Sequence, residues 1–317
     1  MDIIFLEPVY KNYIWGGEKL KNEFNKDTPF KETAESWEIS SNQNGNCKIK
    51  NKEYNNITLR ELFQDQTKKQ EIFGQKCKNL KEFPILIKFI DAKENLSIQV
   101  HPDDEYAKKI GFENGKSEMW YILECEKNGK IIGGLKSTIS QKELQEYVMN
   151  NKIKEQLNYI DITPGDSIYI PAGTVHAILK NTLICEIQQN SDITYRVYDW
   201  DRKNRSGKER ELHKKEAIET IKTENKPIIV HSEEKTEKQT ITESEFFKVE
   251  KINCNNIFKD TSCLDKFFTM NVIDGEGTIE TRTNKYKIKK GDSFLIPANL
   301  GNYKIVGNIK LLKTYIV

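Results

Sequence analysis

Apolar residues fall mostly into short runs rich in Val, Ile, Tyr, Phe and Thr, bounded by turn residues. Examples are PILIKFIDA at 84–92, LSIQVH at 96–101, EMWYILE at 118–124, SIYIPA at 167–172 and LICEIQ at 183–188. Such runs predict strands, and their rhythm predicts a β-sandwich or barrel rather than alternating βα units. Helical spacing occurs only in what read as insertions. ITLRELFQDQTKKQEIFG at 57–74 has Gly74 as its stop, 140–151 opens on a capping box of Ser140 and Glu143, and the third segment is 213–222. The polar stretch 231–244 predicts a linker. Beyond it strand-like runs resume in FFTMNVI, YKIKKGDSFLIPA and GNIKLLKTYIV. The expectation is a mainly β chain with a catalytic domain over 1–230, a linker over 231–244 and a second domain over 245–317.

The chain also repeats itself. TPGDSIYIPAGTVHAI at 163–178 aligns with KKGDSFLIPANLGNYKI at 289–305. Gly165, Asp166, Ser167, Ile170, Pro171 and Ala172 match Gly291, Asp292, Ser293, Ile296, Pro297 and Ala298 at one offset. A β-sandwich module used twice accounts for this. His176 in the first copy stands opposite Asn302 in the second, so a metal site that uses His176 is lost from the second copy.

Composition narrows the function. The 317 residues are 37% hydrophobic and 31% charged, a globular balance. Lys+Arg is 50 against Asp+Glu at 48, and a net charge of +2 lacks the basic field of a nucleic-acid binder. No run approaches the roughly 20 apolar residues of a membrane span, and MDIIFLEPVYKNYIWGG does not read as a signal peptide. The six cysteines include no CxxC pair and are expected to be free thiols in the cytoplasm.

Metal chemistry is the strongest candidate function. Gln99 and His101 are two apart in a strand and share one face. Glu118 opens the next strand-like run, and His176 closes PAGTVH. Two imidazoles, a carboxylate and an amide oxygen suit a borderline divalent cation, with Zn²⁺ the default and manganese, iron or cobalt also acceptable. The alternatives are an exposed strand-edge charge for Glu118 and an outer-sphere role for Gln99.

GDSIYIPAGTVH resembles the second cupin signature: Gly165, Pro171, Gly173 and His176 are in place, while the trailing Asn expected at 180 is Lys, with Asn181 following. The first signature reads Gln99-Val-His101 in place of His-x-His. That change, with PDD after it and GKSEMWY downstream, resembles the short bacterial form of the mannose-6-phosphate isomerase family, zinc-dependent cupin enzymes. FLEPVYKNYIWGG, ESWEIS at 35–40, FPILIKFIDAKENLSIQVHPDDEYA at 83–107 and ITYRVYDWDR at 193–202 extend the resemblance over residues 3–205. It implies two cupin-type jelly-roll domains, the second degenerate. It also implies one Zn²⁺ per chain on Gln99, His101, Glu118 and His176, with Lys116, Glu186 and Arg196 in the active site. The implied reaction interconverts mannose 6-phosphate and fructose 6-phosphate. The partner is a sugar phosphate, with no nucleic acid or membrane, in a monomer or homodimer.

Aldose–ketose isomerisation moves a proton between adjacent carbons through an enediolate. Arg196 is expected to stabilise that charge, and Glu186 or Lys116 to shuttle the proton. Near neutrality this needs a raised Glu186 pKa or a lowered Lys116 pKa. The bland alternatives are a Glu186–Arg196 cross-strand pair and a solvated Lys116. Phosphate-binding candidates are Lys88, Lys116, Arg196 and Arg202, with Ser36 and Ser117 as hydroxyl donors. Trp15, Trp37, Trp120 and Tyr121 are candidate walls of the sugar pocket. The rival functions are another cupin enzyme, such as a different hexose-phosphate isomerase or an iron oxygenase, and a non-catalytic sugar-binding cupin.

Overall fold

The computed structural model describes residues 1–203 and 207–317. The expected mainly β architecture is present, and every paired strand is antiparallel. A seven-stranded sheet runs in the order Ile228–His231, Asp166–Ile170, Glu118–Cys125, Thr182–Gln189, Ile85–Ala92, Glu35–Ile39 and Val9–Lys11. A five-stranded sheet runs Leu157–Asp161, Lys130–Leu135, His176–Ile178, Ile98–Val100 and Tyr195–Tyr198.

Alternation along the strands decides which residues meet. Ile85, Ile87, Phe89, Met119, Tyr121, Cys185 and Ile187 point one way, into a core shared with helix residues Leu62, Phe63 and Phe73 and with Val249 and Leu312 of the C-terminal half. Their neighbours Ile90, Trp120, Ile122 and Ile184 point the other way, against Ile131 and Ile178 of the five-stranded sheet. The polar residues of that second face, Lys88, Glu118 and Glu186, are thereby placed between the two sheets. The outer face of the five-stranded sheet is covered by helices Asp104–Lys109, Gln141–Met149 and Lys214–Thr220, through Ala107, Leu144, Val148 and Ala217.

Six strands of the C-terminal half, with Ile4–Glu7 and Lys48–Ile49 added at one edge, form an eight-stranded sheet around a core of Ile252, Met270, Val272, Phe294, Ile305 and Leu311. Two features depart from the expected segmentation. The stretch expected as a linker holds strand Lys238–Glu243, an edge of this sheet whose Ile241 is buried. Polar residues are what an exposed edge strand carries, so composition alone concealed it. The N-terminal strand Ile4–Glu7 also joins this sheet, with Ile4 opposite Leu295.

The expected helix 57–74 is two helices, Leu59–Gln64 and Lys69–Phe73. The break is local. Asp65 Oδ1 accepts from the Thr67 amide at 3.0 Å and from the Thr67 hydroxyl at 2.6 Å, so the side chain competes with the helical ladder. The capping box at Ser140 forms as expected, with Glu143 accepting from the Ser140 amide at 2.8 Å.

Candidate active site

Two rows of side chains face each other between the sheets, each set by strand register. On the seven-stranded sheet Trp37 lies opposite Lys88, Lys88 opposite Glu186, and Glu186 opposite Trp120. On the five-stranded sheet Arg196 lies opposite Gln99, and Gln99 opposite His176. Residues far apart in sequence thus become neighbours at strand spacing.

His101, Glu118 and His176 converge at one end of these rows. Their ligand atoms lie within 4.8 Å of one another, and the residues are at most 1% exposed. His101 Nε2 is 3.5 Å and His176 Nε2 is 3.3 Å from the Glu118 carboxylate. Ligands on one tetrahedral ion at about 2.0–2.1 Å stand roughly 3.3–3.4 Å apart, so the spacing fits. His101 Nδ1 donates to the Ile193 carbonyl at 2.7 Å, and His176 Nδ1 to the Thr174 carbonyl at 2.8 Å. Both Nε2 lone pairs are thereby directed inward, the arrangement a metal-binding histidine needs. Burial, reinforced at His101 by the Lys116 charge, holds both imidazoles below their ordinary range and keeps them neutral. Neither buried Glu118 oxygen accepts a hydrogen bond, although Lys116 Nζ lies 2.8 Å from Oε2. Two oriented imidazoles and an unsatisfied carboxylate fit a divalent cation. Gln99 sits beside them with its amide nitrogen 3.4 Å from His176 Nε2 and its oxygen accepting from Ser97. Turning that amide over presents the oxygen to the cluster.

The loop delivering His176 is tied to the strand carrying His101. Gly173 has φ +87, and its N–H donates to the His101 carbonyl at 2.8 Å. A Cβ there would meet Lys222 Cγ at 2.9 Å, so the position takes glycine on two counts.

Beside the cluster opens a cleft of about 290 Å³, lined among others by Trp15, Trp37, Lys88, Gln99, Lys116, Glu186 and Arg196. Lys116 is buried, not solvated, and bridges the cleft to the cluster by donating to His101 Nε2 at 2.9 Å. Glu186 pairs with Lys88 at 3.0 Å rather than with Arg196, and accepts from Trp120 Nε1 at 3.1 Å. Burial pushes its carboxyl up, but the charges of Lys88 and Lys116 outweigh that and hold it below the ordinary carboxylate range. The raised pKa expected for a Glu186 proton shuttle is therefore not what its surroundings produce. Arg196 Nε is buried without a partner, and burial lowers the pKa of its guanidinium.

Other expectations need correction. Ser36 alternates away from Glu35 and Trp37 and donates to Glu38 outside the cleft. Ser117 is buried with its hydroxyl on the Ala172 amide. Arg202 turns to the Asn95 carbonyl and Asp199. Trp120 packs against the His176 ring, centroids 5.5 Å apart, while Tyr121 faces the opposite core. Sequence reading missed Glu35, which accepts from Trp37 Nε1 at 2.6 Å and lies 3.9 Å from Lys88, as well as Tyr13 and Arg210 on the cleft wall. Alternation within ESWEIS could have paired Glu35 with Trp37; nothing local marks Arg210.

The family model for the catalytic domain of type I phosphomannose isomerase matches residues 3–129, and that for the mannose-6-phosphate isomerase cupin domain matches 236–316. The mannose-6-phosphate isomerase ManA of Bacillus subtilis is 39% identical over 99% of this chain and 98% of its own length. The mannose-6-phosphate isomerase of Streptococcus mutans is 34% identical over 98% of each. A crystal structure of the mannose 6-phosphate isomerase from Bacillus subtilis superposes with a TM-score of 0.90 at 36% identity, covering 100% of both chains. The apo phosphomannose isomerase of Salmonella typhimurium, at 16% identity and TM-score 0.79, shares the fold. With relatives of this identity matched end to end, the chain belongs to the type I phosphomannose isomerase family of the cupin superfamily.

Proposed function

We propose that this protein is an aldose–ketose isomerase interconverting mannose 6-phosphate and fructose 6-phosphate in the cleft between the two sheets. One observation supports it above the others: Lys116 and Gln99, which touch the cluster of His101, Glu118 and His176, line the same small cavity as Lys88, Glu186 and Arg196. The names of the full-length relatives supply the substrate.

His101, Glu118 and His176 would hold one Zn²⁺, with the Gln99 amide oxygen as fourth ligand. A divalent cation there supplies Lewis-acid polarisation of adjacent sugar oxygens. The protein side chains do the rest. A base removes the proton on C2 of the open-chain aldose, the C2–H electron pair forms the C1–C2 double bond, and charge passes to O1. Return of that proton to C1, with the O2 proton passing to O1, yields the ketose. We assign the proton transfer to Lys116, which touches both the cleft and the cluster and takes the C2 proton in its neutral amine form. Glu186, kept ionised by Lys88, orients substrate hydroxyls as an acceptor. The Arg196 guanidinium, whose Nε has no hydrogen-bond partner, places fixed positive charge beside the enediolate. Trp15 and Trp37 wall the sugar.

We also propose the division read from the sequence, a catalytic module over 1–230 and a metal-free module over 245–317, with strand Ile4–Glu7 crossing between them. The cytoplasm is the proposed compartment on the sequence grounds already given; no helix among the described residues is long and apolar enough to cross a membrane.

The decisive assay incubates the protein with mannose 6-phosphate and detects fructose 6-phosphate through a coupled reaction. Product formation that stops on chelation and returns with Zn²⁺ is expected. Binding of mannose 6-phosphate without product would favour a sugar-binding module instead.

A further inference from the structure

Tyr13 and Trp15 wall the cleft, with their ring centroids 5.5 Å apart. Neither belongs to a regular element. Both sit on the segment between strand Val9–Lys11 and the four-residue helix Lys19–Asn22. A wall on such a segment keeps its place only through bonds to the scaffold around it. The Trp15 carbonyl accepts from the Glu94 amide at 3.1 Å, and the Gly17 carbonyl from the Thr33 amide at 2.7 Å. The remaining hold comes from a carboxylate. Asp91, 3% exposed near the end of strand Ile85–Ala92, accepts from the Lys19 amide at 2.8 Å. Glu18, at the N-cap position, makes no side-chain bond to the helix, so Asp91 caps it from 72 positions away. The same carboxylate lies so close to the Gly17 backbone that a Cβ there would collide with it. Asp91 does not itself line the cleft; strand alternation turns it away from the face of Lys88 and Ile90, which do.

This cap costs stability. Burial, opposed by the amide and charge of Lys19 and reinforced by Glu23 and by Glu124 of strand Glu118–Cys125, pushes the Asp91 carboxyl up to about 6. The Lys19 ammonium is itself paired with Glu124. With the folded value above the ordinary one of about 3.9, charging Asp91 destabilises the fold as pH rises through that window. Asparagine would accept the same bond without that cost. What the ionised group adds is a charge-assisted, firmer hold on the turn.

We propose that Asp91 is a positioning residue: by capping Lys19 it locks the turn from Trp15 to Lys19 and keeps Trp15 against the sugar. The proposal rests on the reading of the cleft as a sugar-phosphate site. Asp91 acts only through the turn, so it sets affinity rather than the chemical step.

The test compares wild type, Asp91→Asn, Asp91→Ala and Gly17→Ala, all loaded with Zn²⁺. The probe is the C1-reduced alcohol of mannose 6-phosphate, which cannot isomerise, titrated calorimetrically near pH 7.5 and near pH 5. Turnover of mannose 6-phosphate is measured alongside. Near pH 7.5 Asp91→Asn should bind the probe about 3–10-fold more weakly, the difference between a charge-assisted and a neutral bond, with kcat within a few-fold. Near pH 5 the wild-type carboxyl is protonated, and the two should bind alike. Taking the ratio at each pH cancels the titration of the probe's phosphate and of every group the two proteins share. Asp91→Ala leaves the Lys19 amide without its acceptor and should bind more weakly than Asp91→Asn at both pH values. In chemical denaturation near pH 7.5 Asp91→Asn should be no less stable than wild type, which a merely structural role would reverse. Gly17→Ala displaces the carboxylate and should also weaken binding near pH 7.5. Equal affinity of wild type and Asp91→Asn near pH 7.5, or the same affinity ratio at both pH values, overturns the proposal. Should Asp91→Asn not fold, wild-type affinity in Gly17→Ala overturns it. Wild type that binds the probe but leaves mannose 6-phosphate unconverted sinks the isomerase reading, while the affinity comparison still decides the role of Asp91.

Discussion

At 163–172 and at 289–298 the chain makes the same turn twice. Gly165 and Gly291 take φ of +98 and +95, and Asp166 and Asp292 each accept from a backbone N–H three residues earlier at 2.8 Å. A strand follows in both, Asp166–Ile170 and Ser293–Ile296. The copies part company after the shared Pro-Ala. In the first, Gly173 ties the loop to the His101 carbonyl and His176 enters the interior at 1% exposure. In the second, Asn302 stays exposed and accepts from the Thr261 hydroxyl at 2.7 Å. The interior behind the second copy is an apolar core that includes Ile279, Ile305 and Phe294, whereas Glu118, Lys88 and Glu186 are buried beside the first. The turn is scaffold; the polar rows on facing sheets make the site.

The contrast breaks hardest where the rows hold the cation. Glu118→Gln removes the charged ligand, so metal retention should weaken by more than about 100-fold, and activity should vanish with it. Metal analysis after dialysis reads this directly, and one metal per chain in the variant would refute the ligand role. Next is Lys116→Met, expected to lower turnover by about 10²–10⁴ with bound metal unchanged. Near-wild-type turnover would remove Lys116 from proton transfer.

Lys88→Met acts on stability through pH. In the wild type the Glu186 pKa is lowered on folding, so its ion pair stabilises the fold above the unfolded carboxylate value of about 4.3 and is lost as pH falls below it. Without Lys88 a buried unpaired carboxylate remains, costing about 3–5 kcal/mol at neutral pH. Burial then raises its pKa, and protonation relieves the cost as pH falls. Chemical denaturation should show the largest gap from wild type near pH 7.5 and a smaller one near pH 4.5; a gap that widens on acidification contradicts the pairing. The smallest effect compares the repeats themselves. Asp166→Asn and Asp292→Asn weaken equivalent turn bonds and should each cost about 0.5–1.5 kcal/mol. Only the first should also lower activity, since only that turn leads to a ligand. Equal activity losses would mean the copies are functionally linked.

Much of this was legible in the sequence because it is local. Gln99 and His101 follow from strand alternation, and the turn before His176 from Gly165 and Pro171. What escaped depends on register between distant strands. Lys88 meets Glu186 across 98 positions, and Asp199 reaches Arg210 through a loop without a motif. The helix at 57–74 was misjudged because the break at Asp65 comes from a side chain bonding two residues on. The segment 231–244 was misjudged because an edge strand and a linker share polar composition.

Anomalous diffraction at the zinc edge from Zn²⁺-loaded crystals tests the central claim most directly. The account predicts one peak per chain, about 2.0–2.2 Å from His101 Nε2, His176 Nε2 and a Glu118 oxygen, and none near Asn302. A peak elsewhere, or a chain saturated with Zn²⁺ whose three side chains stay unligated, would contradict it.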